Sequence, residues 1–291
     1  MLLPDSLTDK LIRLKLGVHK TPLDRFEVRI ARTVRDYERA FRLLHVAYVY
    51  QGIEDVESER MRITKQHVLP ESTVLVALEG EKLVATMTVT LDSSAGLPFD
   101  EDYPQQMQEL RKSKARIVEY GSLAIVRRCW HSGVGRLMEI AGHAWSTRVL
   151  GATHCVAGVN PAAVPHYRAL YGFQKVGAPR AYHDLDAPVQ GLVVDFSEAL
   201  AHIGRCFTKP LPDGRLYHEH LTGKLADCIK VPTEVALEDL VRWKLPREVF
   251  QELFIAKSDR LYSLDSKTLE HLRRWRTDTT LHPPVRGSSG S

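Results

Sequence analysis

The sequence predicts an α/β (α+β) fold, a central mixed and twisted sheet flanked by helices and followed by a helical C-terminal appendage. Three observations carry this expectation. A β-rich hairpin occupies residues 73–91. An apolar strand over residues 116–125 runs through a basic, glycine-containing turn straight into an amphipathic helix, and another strand follows. Beyond about Ser197 the strand signals give way to helical spacing.

Bulk properties narrow the class of protein. A chain of 291 residues can bury one large core, or one core with a smaller unit appended. A net charge of +4 without a Lys/Arg-rich tail excludes nucleic acid as the expected partner. The four cysteines, Cys129, Cys155, Cys206 and Cys228, form no C-x-x-C pair and read as reduced thiols. His218-Glu219-His220 lacks the i, i+4 spacing that sets two imidazoles on one helix face, so no metal site is expected. There is no run of about 20 apolar residues able to span a bilayer, and the first residues carry no apolar signal core. A cytoplasmic protein is expected.

In chain order, residues 1–25 form a lead segment in which Leu11, Leu14 and Leu16 suggest a short helix. Residues 26–31 alternate apolar and charged, as in a half-buried strand. Helical spacing then puts Tyr37, Phe41, Leu44 and Tyr48 on one stripe, with Arg35, Arg39 and Arg42 on the other side and Gly52 as a stop signal. A polar, acidic loop covers residues 54–60. In the hairpin, Glu79-Gly80-Glu81-Lys82 is the expected turn. A short helix anchored by Met107 and Leu110 precedes the 116–125 strand, where period-two alternation puts Ile117, Glu119, Gly121, Leu123 and Ile125 on one face. The next helix runs from Gly135 to about Leu150, with Leu137, Ile140, Ala141, Ala144 and Trp145 inward. Strands at 153–159, 174–177 and 191–196 complete the sheet, with an Asn160-capped helix entry at Pro161. Residues 197–282 read as a helical extension, and 283–291 as a disordered Gly/Ser-rich tail.

Two features bear chemistry. Gly133-Val134-Gly135 joins a strand to a helix, where backbone N–H groups and the helix dipole can receive a phosphate. Arg127, Arg128 and Arg136 add positive charge; a tight turn also uses glycine for steric reasons alone. Glu119 is an acid on an otherwise apolar strand face. Burial raises a carboxyl pKa toward the range useful for a general base. A structural acid paired with an arginine such as Arg62 is the alternative.

The element order, the Gly-x-Gly turn after an apolar strand, and Asn160, Ala163, Tyr167 and Gly172-Phe173 downstream resemble the GNAT acyltransferase superfamily. Trp130 stands where that superfamily usually carries Gln or Arg, and Tyr167 is one residue further from Phe173 than in its common form. Met61-Arg62-Ile63-Thr64, His67, Leu69-Pro70, Thr86-Met87-Thr88, Leu91-Asp92, Gly96-Leu97-Pro98 and Glu119…Leu123-Ala124 extend the likeness to the N-acyl amino acid synthases, relatives of the acyl-homoserine-lactone synthases. The phrases Val159-Asn160-Pro161 and 166–173 fit that group as well, so the likeness covers residues 26–196.

The resemblance implies transfer of a long acyl chain from acyl carrier protein to the α-amine of an amino acid. Glu119 would be the base, acting directly or through water. Leu123, Ile125, Arg127, Arg128, Ser132, Gly133, Val134, Gly135 and Arg136 would hold the donor's phosphopantetheine. Arg62, Asp92, Asn160, His166 and Tyr167 are the candidates for the acceptor or acyl pocket. No cofactor is held permanently; the co-substrate is an acyl-carrier-protein thioester, with acyl-CoA as the alternative donor. An acidic carrier suits the basic residues around 111–116 and 127–136. Contact with a membrane surface would assist release of a lipid product. The competing readings are a CoA-dependent N-acetyltransferase of a small amine and a non-catalytic sensor of acyl lipids on the same scaffold.

Overall fold

Residues 25–52, 61–182, 185–207, 229–232, 245–258 and 260–275, with positions 9, 11 and 12, are described by the structure, a computed structural model. Strands β1 (Glu27–Ile30), β2 (Ser72–Glu79), β3 (Lys82–Leu91), β4 (Ile117–Ile125), β5 (His154–Val159), β6 (Gln174–Tyr182), β7 (Leu185–Asp195) and β8 (Ile229–Lys230) form one eight-stranded sheet in the order β6-β7-β5-β4-β3-β2-β1-β8. The β1–β2, β2–β3, β3–β4, β5–β7 and β6–β7 pairs are antiparallel, whereas β4–β5 and β1–β8 are parallel. The sheet is mixed and flanked by helices, as the sequence predicts.

Helices α1 (Val34–Tyr50), α2 (Pro104–Lys112), α3 (Val134–Ala144), α4 (Val164–Tyr171), α5 (Phe196–Phe207) and α6 (Ser266–Trp275) cover its faces. α1 starts at a capping box in which Thr33 and Asp36 satisfy each other's backbone amides. One core joins α3 and α5 to the sheet through Met87, Val118, Leu137, Met138, Ile140, Trp145, Leu192 and Phe196. On the opposite face, Tyr37 and Phe41 of α1 pack with Val74, Val76, Val249, Phe250, Leu253, Phe254 and Leu272. The C-terminal region therefore supplies seven of the fifteen buried residues of this cluster.

Several boundaries differ from the sequence-based expectation. The hairpin turn is tighter, with only Gly80 (φ 57°) and Glu81 between β2 and β3. α3 begins at Val134 and continues as a wide turn over Trp145–Val149, where the Leu150 amide donates to the Trp145 carbonyl at 3.0 Å. β6 and β7 are longer than their apolar segments, because Arg180, Ala181 and Tyr182 still pair across to β7. The region after Ser197 supplies a strand as well as helices: β8 pairs with β1 at the sheet edge. Expectations for Leu14 and Leu16, the acidic residues of 54–60, His218-Glu219-His220, Cys228, residues 237–243 and the 283–291 tail fall outside the described residues.

The most consequential difference lies inside β4. Thr86 pairs with Ala124 but Thr88 pairs with Gly121, so β4 carries one residue more than β3 across this interval. Ser122 takes up the extra length at φ 53°. A bulge reverses side-chain alternation beyond it. Ile117 packs with Leu97, Phe99 and Met107, whereas Val118, Tyr120, Leu123 and Ile125 all face the α3 core. Leu123 and Ile125 thus do not share the face of Glu119, contrary to strict period two.

Candidate active site

β4 and β5 pair only at Ile117–His154, Val118–Cys155 and Glu119–Val156. Beyond Glu119 no pairing continues, and a cleft of about 220 Å³ opens between the two strands. Its walls include Tyr120, Gly121, Ser122 and Leu123 from β4, and Ala157, Gly158, Val159 and Asn160 from β5 and the turn after it. Tyr48, Gln51, Arg62, Thr64 and Gln66 close one side; Tyr167, Phe173 and Val189 close the other. The bulge at Ser122 faces this space, and the Gln66 amide nitrogen donates to Ser122 Oγ at 2.9 Å.

Glu119 lines the cleft with only 3% of its surface exposed. Its Oε2 accepts a hydrogen bond from the Phe99 amide at 3.0 Å. Burial pushes its carboxyl up to about 8; the Phe99 amide opposes the shift, and the charges of Asp100, Asp102 and Glu101 add to it. Arg62 does not salt-bridge Glu119: its guanidinium lies 4.6 Å from the Tyr48 ring centroid, and its amide donates to the Phe41 carbonyl. A buried carboxyl with a raised pKa at the wall of a cleft has the chemistry of a candidate proton-transfer group.

The glycine turn leaves β4 through a 3₁₀ segment, Arg127–Cys129, and enters α3 at Gly133, whose φ of 86° only glycine adopts without strain. Ser132 Oγ donates to the Cys129 carbonyl at 2.6 Å. A Cβ on Gly135 would lie 3.1 Å from Ile125 Cδ1, so this glycine keeps helix and strand close. Arg127 is exposed, with its guanidinium 4.9 Å from the Tyr50 ring centroid, and Arg128 pairs with Glu79.

Three sequence-based placements change. Arg136 is not at the turn: it is buried on α3, ion-paired with Glu139 one turn on and in contact with His166 and Tyr171. The helix's other buried positions are apolar, so the two charges pair with each other, and His166 and Tyr171 lie against both. Asp92 does not line the cleft; it holds Arg111, at 2.7 and 2.8 Å, and Arg111 also binds Asp100. Arg116 donates to the Leu150 carbonyl. Within the basic run at 111–116, Arg111 and Arg116 are thus tied to acceptors of the fold, while Lys112 and Lys114 are exposed.

Asn160 lines the cleft while its side chain caps the Ala162 amide at 2.9 Å. Tyr167 also lines it; His166 sits one position away, against Arg136. Glu139 had no part in the sequence reading, yet it borders the cleft and a second, apolar cavity of about 50 Å³. Tyr120, Tyr167 and Phe173 border both, and Phe196, Ala199, Leu200 and Ile203 of α5 form the far wall of the second. Burial acts to raise the Glu139 carboxyl, but Arg136, His166 and Tyr171 outweigh it and hold it below the ordinary carboxylate range. An Arg–Glu pair at i, i+3 inside an apolar helix was the available signal.

A splayed pair of parallel strands, a bulge at the split and a glycine turn into a helix are the framework of an acyltransferase of the GNAT superfamily, and the match to a known family supports that class. Residues 39–195 match the family model of the N-acyl amino acid synthase FeeM, so the chain belongs to the FeeM N-acyl amino acid synthase family. The fold is similar to that of FeeM, an N-acyl amino acid synthase from uncultured soil microbes, at 21% identity and a TM-score of 0.53, over 61% of this chain and 94% of that one. BjaI, a CoA-dependent acyl-homoserine lactone synthase solved with SAM and isopentyl-CoA, aligns at 15% identity and a TM-score of 0.46, over 75% of this chain and 97% of its own. An N-acetyltransferase from Lactobacillus plantarum aligns at 15% identity and a TM-score of 0.41, over 59% and 98% of the two chains. Among curated proteins none matches significantly. No described helix is long and apolar enough to cross a membrane.

Proposed function

We propose that this acyltransferase moves a long-chain acyl group from an acyl-carrier-protein thioester to the α-amine of an amino acid, with Glu119 as general base. The observation that carries the reading is Glu119 itself, a buried carboxyl lining the cleft with its pKa raised to about 8. A carboxylate with its pKa raised to about 8 takes a proton from an ammonium far more readily than an ordinary one near ~4.3. The amine nitrogen attacks the thioester carbonyl carbon, the C–N bond forms, and the C–S bond breaks. Glu119 removes the proton from nitrogen, which balances the proton the departing thiolate gains.

Around that step each neighbour has a task. Amides of Ser122 and Leu123, the two residues that drop out of the β3–β4 register at the bulge, polarise the thioester carbonyl, where charge develops. Arg62, at the cleft wall beside Tyr48, supplies the positive charge that an acceptor's carboxylate needs. Ser132, Gly133, Val134 and Gly135, with Arg127 and Arg128, receive the phosphodiester of the donor arm. Tyr167 and Asn160 shape the cleft, and the acyl tail is directed past Tyr167 and Phe173 toward the apolar cavity under α5. Incubating the protein with an acylated carrier protein and a pool of amino acids should yield N-acyl amino acids by mass spectrometry. A total lack of acylated amine with carrier-protein and CoA donors alike would sink the reading.

A further inference from the structure

Resting on the reading that the donor arrives on a carrier protein, we propose that the outward face of α1 and the Trp130 turn form the docking surface for that acidic carrier. α1 has three faces. Tyr37, Ala40, Phe41 and Leu44 enter the core, while Tyr48, with Gln51 just beyond the helix, lines the cleft. Arg35, Arg39, Arg42, Val46 and Tyr50 recur at spacings of three and four on the remaining side. Val46 is 62% exposed, Tyr50 54% and Trp130 43%, unusual values for large apolar residues.

The patch is continuous with the donor turn. The Tyr50 and Trp130 rings meet edge to face at 5.6 Å, Arg127 sits over Tyr50, and Trp130 Nε1 donates to the Ile125 carbonyl at 3.1 Å. Its charge is positive: Arg35, Arg42 and Arg127 are exposed, and Arg39 reaches the Glu81 carbonyl. Of the neighbouring acids, Glu79 is shared between Arg25 and Arg128, Glu38 is drawn away to Lys257, and Glu81 is exposed beside Arg39, so arginines outnumber acids on this face. The stripe from Arg35 to Tyr50 spans about 22 Å at 1.5 Å per residue, the reach of a protein helix rather than of a nucleotide. Arginines ringing exposed aromatics suit an acidic helical partner, the charges steering it and the rings anchoring it. From there its thioester arm has only to cross Trp130 to enter at Ser132–Gly135.

Two exposed variants test this, Arg42→Glu and Val46→Asp, in the full chain. Steady-state kinetics are measured with acylated carrier protein and, separately, with acyl-pantetheine. For both variants KM for the carrier-borne donor should rise about ten-fold or more at low salt, with acyl-pantetheine kinetics unchanged; the salt dependence of the unsubstituted protein should flatten in Arg42→Glu. Unchanged KM for the carrier-borne donor in both variants overturns the surface, as does a preference for acyl-CoA with no response to carrier protein. If the unsubstituted protein turns over neither donor, the acyl-transfer reading fails on its own account. Titration calorimetry with the carrier protein then decides the surface: weaker binding to Arg42→Glu supports it, and equal or absent binding to all forms overturns it.

Discussion

The Phe99 amide donates to Glu119 Oε2 at 3.0 Å, so the loop that ends in the short helical turn Phe99–Asp102 sets where the carboxylate points. That loop is itself held from outside the family-matched residues. Lys65 joins Glu101 of the loop to Asp265, and His271 of α6 bridges Ser94 and Glu71.

The first prediction concerns pH. With the Glu119 carboxyl at about 8, kcat/KM should climb with pH and approach its plateau only above that value. Glu119→Gln should lower kcat by about 10²–10⁴ and remove the limb. The sign for stability is opposite. Between the ordinary value of 4.5 and about 8 the unfolded chain has lost a proton that the folded protein retains, so stability falls as pH rises through that window. Thermal melts should therefore show Glu119→Gln stabilised relative to the parent at pH 8.5 and nearly equal to it at pH 4.5.

Breaking the pair on α3 should be costly. Glu139→Gln leaves the buried Arg136 guanidinium without its carboxylate, a loss of about 3–5 kcal/mol by urea denaturation. Replacing both residues by apolar ones of similar size should cost less than this single change. Because Glu139 is held below its ordinary range, its contribution is present at neutral pH and lost only as pH falls below 4.5.

The C-terminal region should prove inseparable from the domain. Phe254 is fully buried against Phe41 and Phe250, so Phe254→Ala is expected to cost about 3–5 kcal/mol. A truncation after residue 207 would leave Phe41, Val74 and Val76 uncovered, and it should be recovered mainly as aggregate by size-exclusion chromatography.

Gly142→Ala should act on the cleft. An added Cβ would fall 2.5 Å from the terminal methyl of Met87 and 3.5 Å from the Tyr120 ring. The flexible Met87 end must move, and it lines the cleft. A stability loss of about 1–3 kcal/mol should accompany a raised KM for the acyl donor.

Local pattern disclosed the elements and the candidate base. The hairpin, the strand–turn–helix unit and the buried position of Glu119 all follow from alternation and glycine placement within a few residues. The bulge did not, since Ser122 departs from period two only when β3 is alongside. Arg136 looked like a turn residue because nothing in a one-dimensional pattern tells which side of the first helical turn it takes. Arg111 looked unpaired because its acids, Asp92 and Asp100, are reached only through the tertiary fold. Contacts such as His271–Glu71 span 200 residues and leave no periodic trace.

β8 carries a consequence for biosynthesis. The outer edge of β1 is paired by Ile229 and Lys230, which emerge from the ribosome roughly two hundred residues after Val28 and Arg29. At ordinary elongation rates of about 5–20 residues per second, that edge stays open for on the order of ten seconds or more, an unpaired strand with hydrogen-bonding groups on offer. The charged Glu27 and Arg29 alternating with Val28 and Ile30 then act as guards during translation, keeping nascent chains from zipping together before the last strand arrives.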